Sequence, residues 1–425
     1  MENNLVYKYF FILLAILPIS FIVGSSIFLV NVLIFDISFL ILIFHNKNFI
    51  FFKHPIIKIL FFLYFYLIFN TFISLEPSLS FFRNFGFIRL IILFIGINYF
   101  LRLNNFNNIF NIWSIIILIV CFDIFFERIN GFNLLGFNSN KERIVSFFKD
   151  EAIPGSFVYS FSMILIGFWL QKFFKFSSFY RIFILVCILG VFISVILTGE
   201  RSSSIKMIIF LIFFIFLFDF TSFKKKFLIL ALMFFLILMS IMKFEYVKNR
   251  MFDSIKYSTS NYLSSFIHGK PKDNPSGNLY AKLHRSGFDI FKKYPFFGVG
   301  TKNYRIEACL NGYYERGIDI MINDYVCETH PHQIYFELLA EHGAFGTFLI
   351  IFIFFRIFSK NFFVLKNSRN YISLGALLFA MSNFLPLIPS GSFFSDKNLT
   401  MFFINFSIIY ASTKSLNIFN NNDKF

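Results

Sequence analysis

The chain is poor in charge, in cysteine and in extended polar sequence, and each shortage closes off a class of protein. Only 15% of its 425 residues are Asp, Glu, Lys or Arg, whereas a soluble domain carries about a quarter. A water-soluble globule is excluded and lipid is indicated as the solvent. Four cysteines in 425 residues exclude a disulfide framework. Cys121 and Cys187 lie inside apolar runs, while Cys309 and Cys327 share one polar stretch and would pair if it faces an oxidising compartment. The short alternating strands of a membrane barrel are also missing.

What is present is apolar sequence in runs of about 20 residues, the length a helix needs to cross a bilayer. Lipid offers the backbone no hydrogen bonds, so these runs must be helices. They fall at 5–23, 26–44, 56–75, 85–101, 109–126, 155–172, 181–198, 203–220, 226–243, 333–356, 370–389 and 397–413. The expected fold is an all-α polytopic membrane helix bundle of about 12 transmembrane helices, with one large outer loop containing short helices. The first run is long for a secretory segment and has no small-residue cleavage site after it, so it reads as a retained helix. Phe alone counts 74. That abundance reads as compositional drift in an AT-rich genome, so aromatic stripes are poor evidence for a binding face.

Charge asymmetry orients the bundle. Alternate connections carry Lys47, Lys53 and Lys58; Arg102; Lys172, Lys175 and Arg181; Lys224, Lys225 and Lys226; and Arg356, Lys360, Lys366 and Arg369, with Asp219 the acidic exception. These are expected to be cytoplasmic, as are both termini. The opposite connections are nearly neutral or mix both signs. Two are long: 127–154, which holds Lys141, Glu142, Asp150 and other charged residues, and 244–332, with a turn expected at Gly269–Gly277 and helical spacing over Leu279–Lys293. The resulting organisation is helices 1–9 over 1–243, the large outer loop over 244–332, and helices 10–12 with a short tail over 333–425.

Chemistry is concentrated on the outer side. His332, in Glu328-Thr329-His330-Pro331-His332-Gln333, stands at the mouth of a helix near the headgroup level. A neutral imidazole there suits a general base, and it equally suits a helix cap or an interfacial residue. His330 and His332 together suit zinc, but no recognised ligand spacing joins them to Cys327, Glu328 or His284. Arg201 follows Thr198-Gly199-Glu200 at an outer helix start, Arg285 lies in the large loop, and Arg83 and Arg89 flank the fourth helix. Guanidinium groups bind phosphate oxygens in pairs, and several converging would suit a lipid-linked pyrophosphate. Singly, each is compatible with snorkelling or with a structural ion pair such as Glu200 with Arg201. Pro295-Phe296-Phe297-Gly298-Val299-Gly300 lacks the strand and helix of a nucleotide fingerprint and reads as a scaffold turn fixing Arg285 relative to His332. Glu337 and Glu341 share a helix face that would line a wet cavity, and Gly343 and Gly346 would allow close helix packing.

Taken in order, these elements resemble the O-antigen ligase family, which shares a superfamily with O-antigen polymerases. The family's Thr-Gly-Ser-Arg-like turn is matched by Thr198-Gly199-Glu200-Arg201. Its Arg helix and Pro-Leu-Phe-Gly-x-Gly are matched by Arg285 and Pro295–Gly300. Its His-Pro-His-Asn and Glu-x-Gly-x-x-Gly are matched by His330–Gln333 and Glu341–Gly346. The resemblance is sharp across about 198–346, with Glu200 where Ser is frequent and Gln333 where Asn is usual. It implies an inverting, metal-independent glycosyltransferase without cofactor, in the bacterial inner membrane, with a periplasmic active site. Such an enzyme would move a glycan from undecaprenyl pyrophosphate to a sugar hydroxyl of a lipid A–core acceptor. Carried over, His332 would be the catalytic base and Arg201 and Arg285 the donor pyrophosphate clamps. Supporting roles would fall to His330, Arg83, Arg89, Glu337 and Glu341. The partners implied are these two lipid-anchored glycans and membrane lipids, and no nucleic acid.

Two other readings stay open on sequence. A polymerase joining lipid-linked repeat units would use the same donor. A polysaccharide or lipid transporter would favour ionisable groups near the bilayer midplane, for which Asp36 and Asp123 speak.

Overall fold

The computed structural model describes residues 2–103, 107–138, 143–149, 151–217, 222–253, 256, 262–268, 278–309, 321–322 and 325–420. Lys141, Glu142, Asp150, Asp219 and the turn expected over 269–277 lie outside the described residues.

Each apolar run forms a helix. The first is split into α1 (Glu2–Ala15) and α2 (Leu17–Val23), bent by 44° from one another, with Pro18 in the first turn of α2 where a missing N–H costs nothing. Then follow α3 (Ser25–Asn46), α4 (Pro55–Phe72), α5 (Pro77–Phe85), α6 (Ile88–Leu103), α7 (Asn107–Asn130), α8 (Pro154–Lys172), α9 (Ser178–Leu197), α10 (Arg201–Leu217) and α11 (Phe223–Lys243). The large loop contributes α12 (Glu245–Lys248), α13 (Tyr262–His268), α14 (Leu279–Lys293) and α15 (Tyr304–Ala308). Its Met321–Ile322 and Tyr325–Val326 form a two-residue antiparallel pair. The chain returns through α16 (Ile334–Ser368), α17 (Tyr371–Ser382) and α18 (Asp396–Ala411).

The fold is all-α and polytopic, but the expected twelve counts helical segments rather than lipid-facing spans. Among the described residues, seven helices are long and apolar enough to cross a bilayer, or eight if the bent pair is one span. Helices α8, α10, α17 and α18 fall below that standard. Helices α10, α17 and α18 are short, at 17, 12 and 16 residues. In α8, residues on every side are buried by neighbouring helices, so protein stands in for lipid and a strictly apolar surface is not needed. Helix α11 is the opposite case, with only Met233 and Ser240 buried. In the large loop, Cys309 and Cys327 are joined in a disulfide.

Candidate active site

The N-terminal part of α16 is joined to the 295–300 turn by main-chain hydrogen bonds. Gly343 leaves the helix with φ 61° and ψ −167°, freeing the hydrogen bonds around it. The Pro295–Gly300 turn takes them up. Ala344 and Phe345 N–H donate to the carbonyls of Pro295 (2.8 Å) and Phe296 (3.1 Å). In return, Val299 and Gly300 N–H donate to those of Ala340 and Glu341, both at 2.9 Å. A Cβ on Gly343 would lie 2.4 Å from the Phe296 carbonyl carbon, so the seam needs glycine for both its φ and its closeness. The turn thus braces a helix break, where a link between Arg285 and His332 was expected. Gly346 does serve helix packing, since a Cβ there would meet the Tyr66 hydroxyl of α4 at 1.7 Å.

Braced in this way, the start of α16 presents His332. The Gln333 side chain caps the helix, accepting from Tyr335 N–H (2.8 Å) and Phe336 N–H (3.1 Å), so its extra methylene relative to Asn leaves the capping amide in place. His332 itself has φ 54°, a left-handed conformation uncommon outside glycine, and its carbonyl accepts from Ser390 N–H at 2.7 Å. Its ring lies 4.0 Å from that of His330 and 6.1 Å, edge-on, from that of Tyr280, centroid to centroid. Burial lowers the His332 pKa below 6.5, while Glu328 and the Ser390 backbone partly oppose the shift. Burial likewise pushes His330 to about 3 and His284 to about 4, and a charge on His332 would depress both further. The lowered pKa favours the neutral imidazole, the form that can take up a proton.

Opposite it stands the α9–α10 turn. Glu200 does not pair with Arg201. Its carboxylate accepts from Gly155 N–H (2.7 Å), Ser156 N–H (2.9 Å) and the Ser203 hydroxyl (3.1 Å), capping α8 from outside that helix. Burial raises its pKa despite these bonds. Arg201 is left free of carboxylates among the described residues, its guanidinium 5.9 Å from the Tyr280 ring centroid. Asn278 caps the first turn of α14 by accepting from Tyr280 and Ala281 N–H, and so sets Tyr280 between Arg201 and His332.

These groups share one cavity of about 470 Å³, lined by Arg201, His332, Tyr280, Glu200, Lys206, Arg143 and Lys397 among others. A second cavity of about 290 Å³ adjoins it through Arg201, Ser202, Tyr280 and Pro389. His332 and Arg201 are thus brought together as the sequence led us to expect. Arg285 is not. Its guanidinium bonds the carbonyls of Phe266 (3.1 Å) and Ile267 (2.8 Å) and pairs with Asp289 at 3.3 Å, tying α14 to α13. Arg83 and Arg89 both pair with Asp396. Glu337 and Glu341 are 1% exposed and line neither cavity; Glu337 accepts from the Ser392 hydroxyl and Phe393 N–H. His330 backs His332 without lining the cavity. Sequence reasoning missed Tyr280, Lys206, Arg143 and Lys397. A lysine within an apolar run, five residues after Arg201, was a usable signal.

An all-α polytopic membrane protein with an imidazole and several cations around one cavity is the class that fold and site define. Residues 184–353 match the family model described as O-Antigen ligase, a stretch containing His332, Arg201, Lys206 and the glycine seam. Over that stretch the chain is similar to the O-antigen ligase family. No curated protein matches the chain.

Proposed function

We propose that the protein is an O-antigen ligase-like glycosyltransferase that moves a glycan from undecaprenyl pyrophosphate to a sugar hydroxyl of lipid A–core. The observation that carries the reading is the imidazole of His332 sharing a cavity with Arg201, which pairs with no carboxylate among the described residues. His332 accepts the acceptor hydroxyl's proton as the acceptor oxygen bonds the donor's anomeric carbon. The bond from that carbon to the pyrophosphate oxygen breaks, its electron pair leaving with the pyrophosphate. Arg201 stabilises that developing charge, an electrostatic contribution that is usually the largest in such catalysis. Attack opposite the leaving group inverts the anomeric centre. No metal ion is required, so turnover should survive dialysis against a chelator; loss restored by magnesium or zinc would reverse this point.

The charge asymmetry and the Cys309–Cys327 disulfide favour a periplasmic cavity in the inner membrane with both termini cytoplasmic. The proposed organisation is helices over 1–243, a large periplasmic loop over 244–332 and helices with a short cytoplasmic tail over 333–425. Two adjoining cavities suit an enzyme with two lipid-anchored substrates. The deciding experiment is a gene deletion read on a lipopolysaccharide gel. Loss of the whole ladder with accumulation of lipid-linked polymer supports the ligase. Core retaining a single repeat would replace it with a polymerase.

A further inference from the structure

The cavity contains a cation that no carboxylate neutralises among the described residues. Lys206 lies on α10 five residues beyond Arg201, about 7.5 Å deeper along the helix axis, and lines the same cavity. Among the described residues it makes no hydrogen bond, ion pair or ring contact. Its neighbours differ: Lys397 lies 4.6 Å over the Phe21 ring and 4.0 Å from Glu151, and Arg201 faces Tyr280. An ammonium group inside an apolar bundle without a counter-ion is costly, and a cavity that receives an anion relieves that cost. The wall it belongs to is already suited to one. The N-terminal turn of the 17-residue α10 brings Arg201, Ser202 and Ser203 to the cavity together with the positive end of its dipole. Glu200, the carboxylate that lines the cavity among the described residues, is turned toward α8. Arg285, the other expected clamp, is held by backbone carbonyls.

We propose that Lys206 binds the leaving pyrophosphate directly, making α10 the phosphate wall of the site with Arg201 above and Lys206 below. The inference rests on the transferase reading. In the transfer step Lys206 stabilises the electron pair arriving on the pyrophosphate oxygen and moves no proton. A phospholipid headgroup offers the same phosphate chemistry, and the test separates the two sources.

The full-length protein, purified into nanodiscs of zwitterionic lipid, is labelled with an amine-reactive reagent with and without inorganic pyrophosphate, and lysine modification is read by mass spectrometry. Pyrophosphate should protect Lys206 and leave exposed Lys292 unchanged. In parallel, Lys206→Met should weaken pyrophosphate binding about tenfold or more, the loss expected of one charge-assisted contact, and Lys206→Arg should recover most of it. Unchanged labelling of Lys206 while Arg201→Ala abolishes pyrophosphate binding would overturn the inference and spare the transferase reading. Failure of the unmutated protein to bind pyrophosphate would overturn both. Protection by added anionic phospholipid but not by pyrophosphate would reassign Lys206 to a lipid headgroup and defeat the proposal.

Discussion

Replacing His332 by alanine would remove the general base proposed for the transfer, and the size of the expected loss follows from that role. A positioned general base contributes about a hundred- to ten-thousand-fold in rate, or about 2.7–5.4 kcal/mol at 1.36 kcal/mol per decade. The structure also fixes the form of the pH dependence. Burial holds the His332 pKa below 6.5, so the imidazole is in its base form at neutral pH. Turnover should be level there and fall about tenfold per unit once pH drops below the lowered pKa. Glu328 opposes the shift, so Glu328→Gln should move the acid limb to still lower pH. The assay is in vitro transfer from a lipid-linked glycan to purified acceptor across the acid range, for wild type, His332→Ala and Glu328→Gln, with membrane protein levels matched. Residual activity within a few-fold of wild type in His332→Ala, with the same acid limb, would refute the assignment.

Two further perturbations probe the scaffold. Gly343→Ala should destabilise the protein by roughly 1–3 kcal/mol from its positive φ alone, and further because its Cβ would overlap the Phe296 carbonyl; a thermal midpoint equal to wild type in detergent would contradict the seam. Arg285→Ala should lower the thermal midpoint by releasing the carbonyls of Phe266 and Ile267, and should change pyrophosphate affinity less than Lys206→Met does. The opposite order would return Arg285 to the phosphate site.

Local rules made much of this legible in advance. Apolar length marked the long helices of the bundle. Motif order brought Arg201 and His332 to one side. What escaped was set by long-range geometry. Nothing near Glu200 in the chain announces that its carboxylate will cap a helix beginning some 45 residues earlier, so it was read as a partner for its neighbour Arg201. Arg285 was misplaced although Asp289, four residues on, was a visible local partner. Glu337 and Glu341 looked cavity-facing because a carboxylate against lipid is unfavourable. The alternative, a buried carboxylate satisfied by Ser392 and Phe393, depends on the segment after α17 folding back. Tyr280 needed the docked position of α14, which no periodicity supplies.

The joint between the 295–300 turn and α16 consists of N–H and C=O groups, which every residue except proline carries in full. Phe296, Phe297 and Phe345 can accordingly drift to other residues in this phenylalanine-laden chain without disturbing the alignment of the His332 end of α16. Tolerance ends abruptly at Gly298, Gly300 and Gly343, where a single added carbon would collide with backbone or side-chain atoms. A saturation library across the joint should therefore be permissive at its bulkiest positions and intolerant at its smallest.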